Sequence, residues 1–336
     1  MERRILRSIF CTLLLLSLIG TVPAQAGEPP VKLSFPLACT LDTDCWISAY
    51  PDSDPKAETY RDYMCSARSY IGHKGTDFAV TEDAFAVGVD VLAAAEGDVL
   101  RIRDTENDTP KTPEEFETLS AQKKDCGNGI LIDHGAGFFT QYCHLKEDSL
   151  LVKPGDHVQE GQKIAQVGRS GNAELPHLHL SVLWEGAHTD PFTGKPIENG
   201  CGQMGQNLWK DQIPYQPVLL HRMGFRDSVP DFSAIKKAQQ NPKSLKVDVK
   251  ALTFWVELYG VMPDDQVRLD IRMPDGRSFA AQSFTQDEIK ARKFIYTGRK
   301  LSASLPPGTY TGTVFFTRPG TPPVERRKSV QVKIGE

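Results

Sequence analysis

The sequence lacks several features that define common classes of protein. It contains no C-x-x-C pair, the spacing that most often marks a structural zinc-thiolate site. Beyond its N-terminal segment, no apolar run is long enough to form a membrane helix. The formal net charge of −4 provides no excess of positive charge, so we expect no nucleic-acid partner. Histidine is scarce, with eight residues in 336, which makes any clustering of histidines informative.

The N-terminal segment has the layout of a secretory signal. An arginine-rich start, MERRILR, precedes an apolar run over about residues 9–19, and AQA at 24–26 supplies a small-x-small cleavage pattern. The alternative, an uncleaved membrane anchor, would need a longer run. We expect residues 1–26 to be removed on export to the periplasm or the extracellular space, leaving no membrane segment. This removes three arginines and one glutamate and changes the net charge from −4 to −6.

Cysteine usage agrees with an exported chain. An even number of cysteines remains after residue 26, which favours disulfides. The turn sequence GAG at 135–137 would bring residues 126 and 143 together, residues 39 and 45 can close a small loop, and residues 65 and 201 remain as the last pair. The six disulfide candidates are Cys39, Cys45, Cys65, Cys126, Cys143 and Cys201.

The pattern along the chain predicts a mostly β protein with two folded parts. Residues 27–66 form a Cys- and Pro-rich segment without regular periodicity. Residues 67–225 contain short strand signals separated by glycines, such as NGILIDHG and HLHLSVL. Residues 226–244 are polar and indicate a linker. Residues 245–336 show alternating apolar positions and have the size of an immunoglobulin-like β-sandwich.

An insertion over residues 104–126 interrupts the first folded part. Thr112 is a suitable N-cap, Pro113 suits the first helical position, and Glu115 lies three residues after the cap. The sequence therefore predicts a short surface helix within residues 113–123.

The motif ELPHLHLSV contains two histidines separated by one leucine. On a strand, His177 and His179 point to the same face, whereas on a helix they would diverge. GHKGTDFAV places His73 and Asp77 on a loop that enters a strand, and TQYCHLKE ends a strand at His144. A lone histidine is more often structural than catalytic. Two imidazoles, one carboxylate and an open position for water nevertheless describe a catalytic zinc centre.

The order H-x-x-x-D, Y-x-H-L and H-x-H resembles the lysostaphin-type, or LytM-type, zinc metallo-endopeptidases, which cleave peptides of bacterial peptidoglycan. The match covers roughly residues 70–192. The resemblance implies a small antiparallel β-sheet peptidase domain over residues 67–225 and one Zn²⁺ per chain. It assigns the zinc ligands to His73, Asp77 and His179 and the catalytic roles to His144 and His177. It implies peptidoglycan peptide stems as substrate, with a protein or peptide outside the cell wall as the alternative.

The resemblance also implies a mechanism in which zinc-activated water attacks the scissile carbonyl. Because no H-E-x-x-H motif is present, His144 and His177 remain for proton transfer and oxyanion stabilisation, with their individual roles open. His134 matches a position often occupied by histidine and is expected to support the site. Leu175 and the pair Leu180-Ser181 depart from the family pattern, which affects the expected cleft wall rather than a ligand.

Two alternatives remain at this point. A catalytically inactive relative could bind the cell wall or regulate another hydrolase, although such proteins typically lose metal ligands. A lipoyl- or biotinyl-type carrier domain has a similar glycine-rich pattern, but no Met-Lys-Met or Asp-Lys-Ala motif is present. We expect the C-terminal sandwich to bind the wall or a protein partner, or to shape the cleft. The N-terminal segment and the 104–126 insertion are expected to border that cleft.

Overall fold

A computed structural model describes residues 29–231, 235 and 242–335, and these residues form a mostly β protein, as predicted. The expected signal segment 1–26 lies outside the described residues, as do 232–234 and 236–241 of the expected linker. Among the residues described, no helix combines the length and apolar character that a bilayer span requires.

The N-terminal part is built on an antiparallel sheet of nine strands. The strands of this part are β1 (Cys45–Ala49), β2 (Thr76–Val80), β3 (Asp90–Leu92), β4 (Gly97–Arg103), β5 (Asn128–Asp133), β6 (Phe138–Leu145), β7 (His157–Val158), β8 (Lys163–Gln166), β9 (His177–Trp184), β10 (Ala187–Asp190) and β11 (Lys195–Pro196). Seven strands of the sheet follow the order β1-β2-β9-β6-β5-β4-β7, with β10 beside β9 and β11 beside β10. Strands β3 and β8 form a separate pair.

Helices are few and short among the residues that the structure describes. Helix α2 spans Pro113–Ala121, and Thr112 and Glu115 form the capping box that the sequence predicts. Helix α1 (Glu82–Val87) was not predicted, because six residues are too few to show a helical period. A 3-10 turn covers Ile197–Asn199.

The segment 27–66 is less irregular than its composition indicates. Strand β1 lies within it and pairs antiparallel with β2, so that Cys45 lies opposite Val80 and Ile47 lies opposite Phe78. The expectation of an irregular segment is therefore wrong for Cys45–Ala49. This strand is only five residues long, and it is defined by its pairing with a distant segment rather than by its own pattern.

Three disulfides connect the N-terminal part in the pairing expected above. Cys39 is bonded to Cys45, Cys65 to Cys201 and Cys126 to Cys143. The second of these links positions 136 residues apart in the sequence, so it restricts the unfolded chain most strongly.

The C-terminal part is a sandwich of two sheets. Its strands are β12 (Leu219–Arg226), β13 (Ser244–Lys246), β14 (Ala251–Val261), β15 (Gln266–Arg272), β16 (Ser278–Thr285), β17 (Lys290–Lys300), β18 (Gly308–Arg318) and β19 (Val324–Gly335). One sheet has the order β12-β14-β17 and the other β13-β19-β18-β15-β16, with β13 parallel to β19. The alternating residues Val267, Leu269 and Ile271 point into the core between the sheets, as their pattern predicts.

The boundary between the two parts differs from the sequence prediction. Strand β12 lies almost entirely within 67–225, yet it pairs with β14, and Leu220, Met223 and Phe225 belong to the core of the sandwich. The sandwich therefore begins near residue 218 rather than at 245. The residues that follow β12 are mostly polar, so the sequence indicates a linker after residue 225. It gives no sign that β12, before this linker, belongs to the sandwich.

The two parts pack directly against each other. Arg318 of β18 donates from Nη1 to Ser66 Oγ over 3.1 Å and to the Pro217 carbonyl over 3.2 Å. The rings of Trp46 and His221 lie 3.9 Å apart between centroids. Hydrogen bonds and ring contacts thus fix one part beside the other, which becomes important for the shape of the cleft.

The buried carboxyl group of Asp190 makes the free energy of unfolding depend on pH. Burial, with a further contribution from the charge of Asp62, raises the pKa of Asp190 to about 7, and its Oδ1 accepts a hydrogen bond from Phe192 N over 2.8 Å. Because the unfolded carboxyl ionises at a lower pH, the folded state loses stability as the pH rises from about 4 to about 7. The neutral variant Asp190→Asn removes this loss.

The measured quantity is the free energy of unfolding of Asp190→Asn minus that of wild type. We expect this difference to be larger at pH 8 than at pH 5 by roughly a few kcal/mol. Urea denaturation at both pH values measures this difference. Asp275→Asn on an exposed turn is the matched control and should show no change between these pH values. An Asp190→Asn effect of equal size at both pH values would contradict the expectation.

Candidate metal centre

Strands β2 and β9 position the central residues of the candidate site. Their antiparallel register places Asp77 directly opposite His179 and Ala79 opposite His177. Since side chains alternate along a strand, both histidines project to the face that carries Asp77. Leu178 between them is fully buried in the opposite core, as the alternation predicts.

Three possible ligand atoms converge at this point of the sheet. His73 Nε2 lies 2.9 Å from Asp77 Oδ1 and 3.1 Å from His179 Nδ1, and His179 Nδ1 lies 2.8 Å from Asp77 Oδ1. His73 belongs to the loop that leads into β2. Two imidazole nitrogens and one carboxylate oxygen in such a triangle form a group that could hold one metal ion.

The surroundings of the three residues fit a metal site. The other ring nitrogen of His73, Nδ1, lies 2.7 Å from the Tyr50 carbonyl, and that of His179, Nε2, lies 2.9 Å from Ser181 Oγ. Such contacts orient ligating histidines and select the tautomer whose free nitrogen faces the metal. Burial lowers the pKa of His179, which favours the neutral form that binds metals.

Asp77 supplies a negative charge in a buried position. Burial alone would raise the pKa of its carboxyl, but the charges of His73 and His177 and hydrogen bonds from the neighbouring imidazoles hold this pKa well below its usual range. A buried carboxylate of this kind needs positive partners, and a divalent cation would provide one.

His144 and His177 lie beside this group. Their ring centroids are 4.5 Å apart, and His177 Nε2 lies 3.7 Å from Asp77 Oδ1. His144 Nδ1 lies 2.9 Å from the Ser170 carbonyl and His177 Nδ1 lies 2.8 Å from the Leu175 carbonyl. Each ring therefore uses Nδ1–H to bind the backbone, which leaves Nε2 for the site.

The orientation of His144 depends on an unusual backbone conformation. Its φ of +62° is in the left-handed region, which residues with a Cβ seldom adopt. Tyr142, two residues earlier, points into the core, so regular alternation would send His144 there as well. Burial lowers the pKa of His144 well below its usual value, with added effects from the nearby His177 and His179, so the ring is neutral at pH 7.

His134 lies apart from the cluster. Its Nδ1 binds the Glu96 carbonyl over 2.6 Å and its Nε2 contacts Thr140 Oγ1 over 2.7 Å. Thr140 in turn lies 3.3 Å from the Tyr142 hydroxyl. His134 therefore stabilises β6, the strand that carries His144, and lies outside the group that could hold a metal.

Two contacts at the site were missed by the sequence interpretation. Tyr70 donates its hydroxyl to Asp77 Oδ2 over 3.2 Å and stacks on His73 at 4.1 Å between centroids. Ser181 contacts His179, and its position two residues further along β9 could have indicated this shared face. No comparable signal exists for Tyr70, because the loop geometry alone brings it to the site.

The cluster opens into a cleft whose two adjoining cavities share Tyr70 and Asn172. The N-terminal segment contributes Ser48 and Ala49, and the insertion contributes Asp125 and Cys126, as expected for elements that border the cleft. The sandwich also reaches the cleft, which the sequence does not specify. Its contribution to the lining consists of Tyr259, Ala291 and Arg292.

Comparison with known proteins identifies this part of the chain. Residues 71–191 match the model of Peptidase family M23, so the chain contains a domain of that family, as its motifs predict. Peptidoglycan DD-endopeptidase ShyB of Vibrio cholerae is 35% identical over 113 residues, which cover 34% of this chain and 21% of that protein. The murein hydrolase activator NlpD of Salmonella dublin is 27% identical over 180 residues, covering 53% of this chain and 40% of its own.

Among solved structures, a zinc-containing peptidase from Vibrio cholerae matches with 28% identity and a TM-score of 0.27, covering 42% of this chain and 39% of that one. The chain thus spans about a fifth of the length of ShyB and less than half of each of the other two proteins.

The loop that carries His73 approaches β9 closely at Gly75. A Cβ at this position would lie 2.6 Å from His179 Nε2 and 2.7 Å from the Leu180 carbonyl, closer than packed atoms allow. We expect Gly75→Ala to displace the His73 loop, to weaken the binding of zinc if the group of His73, Asp77 and His179 holds it, and to destabilise the fold by about 1–3 kcal/mol. Zinc affinity by chelator competition and the thermal midpoint measure the two effects. Gly335→Ala, in open space, is the control, and unchanged zinc affinity in Gly75→Ala would contradict the expectation.

Proposed function

We propose that this protein is an exported zinc metallo-endopeptidase that hydrolyses peptide bonds in peptidoglycan cross-links. The observation that carries the proposal is the convergence of His73 Nε2, Asp77 Oδ1 and His179 Nδ1 within about 3 Å of one another. The rings of His144 and His177 beside this group provide the proton-transfer partners that hydrolysis of an amide requires.

His73, Asp77 and His179 would hold one zinc ion, leaving an open position toward the cleft. Zinc bound there would polarise the scissile carbonyl and lower the pKa of water to near neutrality, roughly pH 7. The chain supplies the proton chemistry. With Nδ1–H bound to a backbone carbonyl, Nε2 of His144 or His177 can accept a proton from water and return it to the departing amine. The protonated ring can also stabilise the oxyanion.

The substrate assignment rests on the relatives. ShyB and ShyC of Vibrio cholerae, the latter 31% identical over 121 residues, carry the name peptidoglycan DD-endopeptidase. Hydrolysis of peptide bonds in peptidoglycan would use all five residues of the candidate site in this chain. Export is supported by the signal-like N-terminus and by three disulfides, which persist in oxidising compartments.

A second function has one observation in its favour. The match to NlpD, named a murein hydrolase activator, extends over 180 residues and includes more of this chain than the match to ShyB. An activator needs no catalytic group, however, and this chain retains all five histidine and aspartate positions in contact with one another. The intact cluster therefore favours the enzyme over the regulator.

Single substitutions separate metal binding from proton transfer. We expect His179→Ala to lose both zinc and activity, because a ligand nitrogen is removed. His177→Ala should retain one zinc per chain and lose activity by about 100- to 10,000-fold. Zinc content by atomic emission and release of muropeptide fragments measure the two properties. His157→Ala, an exposed histidine, is the control, and near-normal hydrolysis by His177→Ala would contradict the assignment.

Digestion of purified sacculi tests the function as a whole. We expect the zinc-loaded protein to release cleaved cross-links, whose masses identify the bond that is cut. Treatment with a chelator should stop the reaction and added zinc should restore it. Binding of the protein to sacculi without any cleaved product, at a protein concentration where a known endopeptidase is active, would overturn the enzyme and favour the activator.

A further inference from the structure

The cleft continues from the candidate metal centre along the junction between the two parts of the molecule. The cavity that contains Asp77 and His177 shares Glu174, Leu175, Tyr259 and Arg292 with a second cavity. The second cavity is lined on the peptidase side by Trp46 and by the acidic start of α1, Glu82 and Asp83, with Glu82 paired to Arg169. On the sandwich side it is lined by two residues of β12, one of β14 and one of β17. These four sandwich residues are His221, Arg222, Tyr259 and Arg292.

Two arginines on the sandwich wall are held by one buried carboxylate. Glu257 of β14 is fully buried, and its Oε2 accepts a hydrogen bond from Arg222 Nε over 2.7 Å while its Oε1 accepts one from Arg292 Nε. The two guanidinium groups share this single carboxylate, so the triad carries net positive charge. Because each arginine binds Glu257 through Nε, its Nη1 and Nη2 atoms remain for another acceptor. These two atoms form the planar outer edge of a guanidinium, which can bind a carboxylate in a bidentate manner.

A carboxylate of the chain already marks the position where an anion would bind. Glu174 lies in the loop before His177, and its Oε2 is 3.5 Å from Arg292 Nη1. The Glu174 side chain is 59% exposed, whereas that of Arg292 is only 20% exposed. The contact is long and open to water, so a better-placed carboxylate could replace it at small energetic cost.

We propose that Arg222 and Arg292, oriented by Glu257, form a subsite that binds a free carboxylate of the peptide substrate beside the metal centre. The inference rests on the proposed function and specifies it. The sandwich thereby selects peptides with an uncapped carboxyl group over their amidated forms. Arg292 is a specificity residue in this scheme, Glu257 is a positioning residue, and Glu174 competes with the substrate for Arg292.

The test compares two forms of one substrate. Cross-linked muropeptide dimers are used with free carboxylates or after conversion of these groups to carboxamides by carbodiimide coupling with ammonia. Wild type should show a KM about tenfold or more lower for the free acid, and Arg292→Gln should lose this preference with little change in kcat. Glu174→Gln should lower the KM for the free acid only. Arg277→Gln, whose arginine pairs with Asp275 on an exposed turn of the sandwich, is the matched control.

Folding and function are tested separately. Because Arg292→Gln leaves Glu257 with one cation, the double variant Glu257→Gln/Arg292→Gln removes both charges, and the thermal midpoint of each variant is recorded. A merely structural triad would lower the midpoint and affect both substrates equally, which would overturn the subsite. If wild type cleaves neither dimer, the proposed function fails and calorimetric binding of the same dimers decides the subsite. Equal affinity for the acid and the amide would then overturn it.

Discussion

The register between β2 and β9 is the constraint on which the rest of the site depends. It places Asp77 opposite His179, with His177 on the same face and Leu178 in the core. Because side chains alternate strictly along a strand, a slip of one residue would turn the Asp77 carboxylate into the apolar core and turn Phe78 out of it. The buried apolar residues of the two strands exclude that slip, so the same packing that stabilises the sheet also aligns the possible ligands.

Backbone carbonyls orient the rings once the register is set. Those of Tyr50, Ser170 and Leu175 each lie within hydrogen-bond distance of Nδ1 of a different histidine, at 2.7 to 2.9 Å. A backbone acceptor moves less than a side chain, so ring position and tautomer are determined by the fold itself. The left-handed conformation of His144 costs about 1 kcal/mol or more and is tolerated because β5 and β9 pair with β6 on both sides.

The sandwich is part of the cleft rather than a separate appendage. Its strand β12 packs against β1 through the rings of His221 and Trp46, and Arg292 extends into the cavity that contains His177. The sandwich thus places Arg292 in the cavity that also contains Asp77 and His177 of the peptidase part. In the subsite proposed above, the sandwich would add selectivity to the candidate site without supplying any of its possible metal ligands.

The sequence alone determined the local chemistry of this protein. Alternation placed His177 and His179 on one face, the capping box predicted α2, and three ordered motifs indicated the family. Tertiary structure decided what depends on distant contacts. The approach of Tyr70 to Asp77, the rotation of His144, the assignment of β12 to the sandwich and the position of Arg292 all arise from segments that meet only after folding. Local patterns report the period of a strand, whereas its partners are chosen by the burial and hydrogen bonding of the whole chain.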